Sequence, residues 1–145
     1  MNIRRVVVTG MGTINPLGHN ASETWENMVN GVSGAAPITR FDASNFKTQF
    51  ACEVKNYDPK DYFDRKELRK HDLYSQFAMI SADEAIKDSA LDLDQADRDR
   101  AGVIWGAGIG GLQTFVEEIG SWATGDGQPR FSPFFIPKMI ANIAA

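Results

Sequence analysis

The sequence predicts an α/β fold whose sheet is incomplete, and three observations carry that expectation. Two short apolar runs, IRRVVVT at Ile3–Thr9 and AGVIWGAG at Ala101–Gly108, each stop at glycines, as a strand buried on both faces does when it reaches a turn. Between them, Asp64 to Leu91 contains no Gly or Pro and has the composition of a helix. Two strands this apolar want neighbours on both sides, whereas a stable sheet generally has three or more strands with covering elements.

Taken in order, the first run reaches Gly10 and Gly12 and is followed by Pro16, Leu17 and Gly18. NASETWENMVNG then reads as a short helix, with Asn20 or Ser22 as its cap, Trp25, Met28 and Val29 on its apolar side and Gly31 as its stop. From Val32 to Asp64 no period is sustained, and Pro37 and Pro59 interrupt an elaborated loop with a short strand at FACEV. Such excursions often border a site or an interface.

Asp64–Leu91 is expected to be the central helix, bearing Leu73, Phe77, Ile80 and Ile86 among small alanines. DQADRDR is solvated, the second strand follows, Leu112–Trp122 reads as helix and GDGQPRFSP as open loop. Phe134–Ala145 reads as an apolar helix with Pro137 tolerated in its first turn. It runs out in MIANIAA without a glycine, a basic last turn or a polar tail, so the expectation is a larger fold cut short.

Composition narrows function by exclusion. The 145 residues, 43% apolar and 23% charged, suit one modest domain. A net charge of −4 argues against a nucleic-acid partner. No run approaches a membrane span and Met1–Thr9 lacks a signal-peptide core, so the expected location is cytoplasmic. One cysteine, Cys52, and two distant histidines, His19 and His71, are thin material for a metal site, and none is expected.

The most specific local pattern is Gly106, Gly108 and Gly111, spaced G-x-G-x-x-G between a strand and a helix. A dinucleotide site also needs a second strand ending in an acidic residue about twenty positions on. That part fails, because Asp126 lies between glycines in a loop and no apolar strand precedes it. The alternative is a tight turn that brings backbone close to a neighbouring helix, which leaves the protruding Ile109 unexplained. RKELRKH is the other concentrated signal, with Lys66, Arg69 and Lys70 at helical spacings of three and four on one face. Composition alone favours a solvated surface, with Glu67 as internal partner, over a binding patch.

The opening RRVVVTGMGTINPLG at Arg4–Gly18 resembles the β-ketoacyl-acyl-carrier-protein synthases, condensing enzymes of the thiolase superfamily, and most closely the synthase II branch of fatty acid synthesis. FDAS at Phe41, RKELRKHD at Arg65, GAGIGGL at Gly106 and SPFFIPKMIANIAA at Ser132 recur in family order, so the resemblance covers essentially residues 1–145. It implies a thiolase-like layered α/β fold of which this chain is the first half only, the N-terminal part of one synthase domain with no second domain.

The implied chemistry is decarboxylative Claisen condensation of acyl and malonyl thioesters carried on acyl carrier protein, without a cofactor. It requires a thiolate nucleophile and donors for an oxyanion. The family's catalytic Cys and His residues match none of Cys52, His19 or His71. Cys52 is expected to be a packing residue, His19 a loop residue and His71 a helix-surface residue.

By the same resemblance Ile109 gates the acyl pocket, or is simply core, and Phe135 and Ile136 line the pocket of the other subunit of a homodimer. Lys66, Arg69 and Lys70 hold the acidic carrier protein, and Arg130 extends that patch, with PRF standing where relatives often carry two basic residues. The rival class is a non-catalytic partner of the chain-length-factor type, which keeps the fold and serves as a carrier-binding module.

Overall fold

The computed structural model describes residues 3–145, so Met1 and Asn2, where the N-terminal stretch begins, lie outside it. Its elements in chain order are α1 (Ala21–Val29), β1 (Ala35–Pro37), β2 (Phe50–Cys52), α2 (Arg65–Leu68), α3 (Leu73–Asp88), α4 (Leu112–Thr124) and α5 (Phe135–Met139). They belong to two compact units, one formed by residues up to Tyr57 with Ile80–Leu91, the other by Asp58–Met79 with Asp92–Ala145. No described helix is long and apolar enough to cross a membrane.

In the first unit the glycines after the leading run do more than end it. A Cβ on Gly10 would lie 2.2 Å from the carbonyl oxygen of Ala85, and one on Gly12 2.0 Å from that of Ser81, so both lie flush on α3. The intervening amides face carboxylates of the same helix: Met11 N donates to Asp88 Oδ2 and Thr13 N to Glu84 Oε2, each at 2.8 Å. The other oxygen of Glu84 accepts from Ala21 N at 2.8 Å, tying the first residue of α1 to the same helix. α1 itself starts as its sequence predicts, with Asn20 Oδ1 accepting from Glu23 N at 2.8 Å, and it is followed by Gly31 at φ +67°.

FACEV does contain a strand, β2, and its partner is β1, a segment the sequence hid among loop residues. The two pair antiparallel with Ala35 opposite Cys52, Ala36 opposite Ala51 and Pro37 opposite Phe50. Pro37 sits in a two-stranded ribbon, where a residue without an N–H is tolerated. Cys52, expected to be packed, is an exposed free thiol, because side chains alternate along β2 and Cys52 shares the exposed register of Phe50 while Ala51 is half-buried.

Three expectations need correction. Neither Ile3–Thr9 nor Ala101–Gly108 forms a ladder among the described residues, and Val6 and Ile104 are 92% and 102% exposed. β-propensity reflects fit to neighbours, and an apolar run without them stays extended and unpaired. The long helix is two helices, α2 and α3, separated by Arg69–Asp72: Lys70 N turns back on the Glu67 carbonyl as α2 ends, and α3 starts afresh with Ser75 N and Gln76 N on the Asp72 carbonyl. The final helix is five residues long: Ile140 turns extended at ψ 115°, and a turn follows through Ala144.

Among the described residues the buried apolar side chains are Ile14, Ala43 and Ile80 in the first unit and Ala78 in the second. Buried polar residues of the second unit, Asp72, Ser75, Gln76 and Thr114, form a hydrogen-bonded cluster at the starts of α3 and α4.

Candidate functional site

The second unit gathers the glycine turn, α4 and the segment around α5. The turn of Gly106–Gly111 has two unlike halves. A Cβ on Gly106 or Gly108 would meet nothing within 4 Å, so this half has room. Gly110 sits at φ +74°, and its Cβ would lie 2.4 Å from the carbonyl oxygen of Met139; that of Gly111 would lie 2.2 Å from the carbonyl oxygen of Lys138. Only glycine satisfies both the left-handed φ and that approach. Ile109 stands between the halves, 69% exposed, so it is not a core residue of this unit.

The segment against which Gly110 and Gly111 lie is itself held. Tyr74 Oη donates to the carbonyl of Ile140 at 2.5 Å and Trp105 Nε1 to that of Ala141 at 3.0 Å. Burial and the Asp72 charge hold the Tyr74 hydroxyl above its ordinary pKa. These two donors satisfy carbonyls left over where α5 ends.

Phe135 and Ile136 open α5 but differ in setting. Phe135 stacks between Phe131, ring centroids 5.4 Å apart, and Phe115 of α4 at 6.4 Å, while Ile136 remains 63% exposed. Thus two of the three residues assigned to the acyl pocket, Ile109 and Ile136, present bare apolar surface. The turn that carries Ile109 and the helix that carries Phe135 and Ile136 are in backbone contact through Gly110 and Met139.

The basic segment is exposed, but not as one helical face. α2 ends at Leu68, so Lys66 lies in the helix, Arg69 is its C-cap and Lys70 follows in a turn. Asp64 caps α2, accepting from Lys66 N at 2.7 Å and Glu67 N at 2.9 Å. Those amides, Glu67's first, hold the Asp64 carboxyl below its usual range. Lys70 Nζ is 2.7 Å from Glu67 Oε1, which raises the lysine and lowers the glutamate. Among the described residues no ion pair engages Lys66 or Arg69.

Arg130 is not joined to that segment. It pairs at 2.8 Å with Asp126 of its own loop, and both line a groove together with Glu118, Trp122 and Phe131. The histidines also separate: His19 Nε2 bonds the carbonyl of Lys55 at 2.7 Å, in a loop as predicted. His71 is not a surface residue, its side chain being 16% exposed with Nε2 3.3 Å from Glu67 Oε2 and Nδ1 buried without a partner.

Sequence reasoning missed Asp72. Its carboxylate reaches α4, where Oδ2 accepts from Thr114 N at 3.1 Å and from the Thr114 hydroxyl. Gly111, the residue before α4, has no side chain with which to cap it, and that vacancy was the signal available in the sequence.

A family profile described as "Beta-ketoacyl synthase, N-terminal domain" matches residues 3–145. The "3-oxoacyl-[acyl-carrier-protein] synthase 2" of Coxiella burnetii is 46% identical over 145 residues, which cover 100% of this chain and 35% of that protein. The protein of the same name from Staphylococcus aureus strain COL is 44% identical over 142 residues, 97% of this chain and 34% of the other. The chain therefore spans about a third of the length of these curated relatives. Among solved structures, "The ishigamide ketosynthase/chain length factor" superposes with a TM-score of 0.78 at 28% identity, over 97% of this chain and 35% of that one. The α/β fold here is thus part of a ketosynthase fold, and the two unpaired apolar runs are consistent with a partial α/β domain.

Proposed function

This chain belongs to the β-ketoacyl synthase N-terminal domain family, and from that premise we propose that it is the N-terminal segment of a 3-oxoacyl-[acyl-carrier-protein] synthase II, an acyltransferase of fatty acid biosynthesis. An acyl group passes from its carrier thioester to an enzyme thiol and frees the carrier thiol. Malonyl carrier protein loses CO2, which leaves the electron pair of the broken bond on the α-carbon. That carbanion attacks the acyl thioester and expels the enzyme thiolate, giving the 3-oxoacyl carrier. The thiol and the oxyanion donors come from polypeptide outside this segment.

The segment supplies access and docking. Ile109 gates the acyl pocket, and Phe135 and Ile136 line it across the interface of a cytoplasmic homodimer. Lys66, Arg69 and Lys70, with Arg130 in a lesser role, receive the acidic carrier protein. The observation that carries this reading is the position of Ile109, an exposed apolar side chain between glycines with room to move and glycines without it.

The test is to mix the complete enzyme containing this segment with acyl and malonyl carrier proteins, following CO2 release and the 3-oxoacyl product by mass spectrometry. Both are expected. Carrier binding without either product would replace this reading with the chain-length-factor type of partner, which the likeness to the ishigamide complex keeps in view at 28% identity.

A further inference from the structure

Two helix starts meet at Asp72. Its carbonyl oxygen accepts from Ser75 N and Gln76 N, each at 3.1 Å, and from Ser75 Oγ at 2.8 Å, which closes the first turn of α3. Its carboxylate turns the other way and caps α4 through the amide and hydroxyl of Thr114. Asp72 and Thr114 are 7% and 6% exposed, so water does not compete for these bonds. A carboxylate over the amide end of a helix is also favoured by the helix dipole.

Thr114 lies five residues after Ile109, and the backbone between them is tied at Gly110, Gly111 and Leu112. Leu112 N donates to the carbonyl of Gly110 at 2.9 Å and Phe115 N to that of Gly111 at 3.0 Å, while Gly110 and Gly111 touch the Lys138–Met139 backbone. On the other side of Ile109, Gly106 and Gly108 have open space. Trp105, just before Gly106, is tied through its indole N–H to the Ala141 carbonyl, so the room for the turn to move lies between Trp105 and Ile109, and its held exit is the pivot.

We propose that Asp72 is a positioning residue for the Ile109 turn: by holding Thr114 it fixes the exit of the turn, so that Ile109 moves only from the Gly106–Gly108 side. The inference rests on Ile109 being the acyl-pocket gate and says what keeps that gate in register. Loosening the Asp72–Thr114 contact lets the Ile109 side chain wander, and discrimination among acyl chains falls while decarboxylation of malonyl carrier protein continues.

The test uses the complete enzyme with Thr114→Val, which deletes the hydroxyl donor and keeps both shape and backbone amide. Amide exchange at Ile109–Leu112 is expected to quicken about tenfold. The ratio of kcat/KM for long against short acyl carriers is expected to change at least about fivefold, with malonyl decarboxylation within about twofold of the parent enzyme. Thr114→Ser restores both readouts. Asp72→Asn moves them in the same direction, and if it does not fold the two Thr114 variants carry the test. Unchanged exchange in the turn, or an equal loss for every acyl length that follows thermal stability, overturns the positioning role. Ile109→Ala in the same assay separates the two levels: a silent Ile109→Ala removes the gate itself, whereas an active Ile109→Ala beside a silent Thr114→Val removes only the role of Asp72.

Discussion

Gly110 approaches Met139 so closely that a Cβ would lie 2.4 Å from the Met139 carbonyl oxygen, with φ at +74°. Gly110→Ala therefore meets a backbone clash and a disfavoured dihedral together, and is expected to cost about 2–4 kcal/mol. Gly108→Ala meets nothing and is expected to leave stability within about 1 kcal/mol or to raise it, by restricting the unfolded chain. Denaturant midpoints of the two variants check the contrast, and equal midpoints would refute the two-halved turn.

Glu84 joins Thr13 and Ala21 through its two carboxylate oxygens. Glu84→Ala strands two backbone amides and is expected to cost about 2–3 kcal/mol. Glu84→Gln keeps one acceptor and is expected to lose about half as much. Urea unfolding of the two variants measures this ladder, and a silent Glu84→Ala would contradict it.

Charge reversal separates the basic residues by their partners. Lys66 and Arg69 are engaged by no ion pair among the described residues, whereas Lys70 is bonded to Glu67 and Arg130 to Asp126. Lys66→Glu and Arg69→Glu are each expected to raise the KM for acyl carrier protein about five- to tenfold with kcat nearly constant, and to flatten its salt dependence. Lys70→Glu and Arg130→Ala are expected to have smaller effects. Steady-state kinetics across an ionic-strength series give the answer, and equal effects at all four positions would refute the ranking.

Acid acts on α2 through Asp64. Its carboxyl is held below its usual range by the Glu67 and Lys66 amides, so the cap is complete above the unfolded-state pKa. It is lost as pH falls through the lower folded-state value. Amide shifts of Lys66 and Glu67 are expected to stay constant from neutrality to mildly acidic pH and to move together only in stronger acid, with an NMR titration as the check. Asp64→Asn removes that acid-dependent step.

What was legible in the sequence was what short-range chemistry decides. Asn20 caps α1, Gly31 follows its end, and Leu112–Thr124 forms a helix close to the predicted Leu112–Trp122 because its signals lie within a few residues of one another. The break between α2 and α3 was hidden, since Asp72 reads as an ordinary helix residue until its partner Thr114, forty-two positions away, is known. The apolar runs at Val6 and Ile104 carry a strand propensity that needs neighbours to express it, and both side chains stay exposed. Of the candidate site, Ile109 is exposed in the glycine turn, whereas the helical spacing that grouped Lys66, Arg69 and Lys70 is interrupted, because α2 ends at Leu68. His71, expected on the helix surface, has a side chain only 16% exposed, with Nδ1 buried.

The two amides at Met11 and Thr13 meet the two carboxylates at Asp88 and Glu84 because two scales coincide: four residues of helix advance about 6 Å, and two of extended chain about 6.6 Å. The pairing works as a vernier. Sliding the glycine-bearing segment by a single residue would aim both amides away from the carboxylates and drive the Met11 and Thr13 side chains into the helix backbone, so the segment has one admissible alignment.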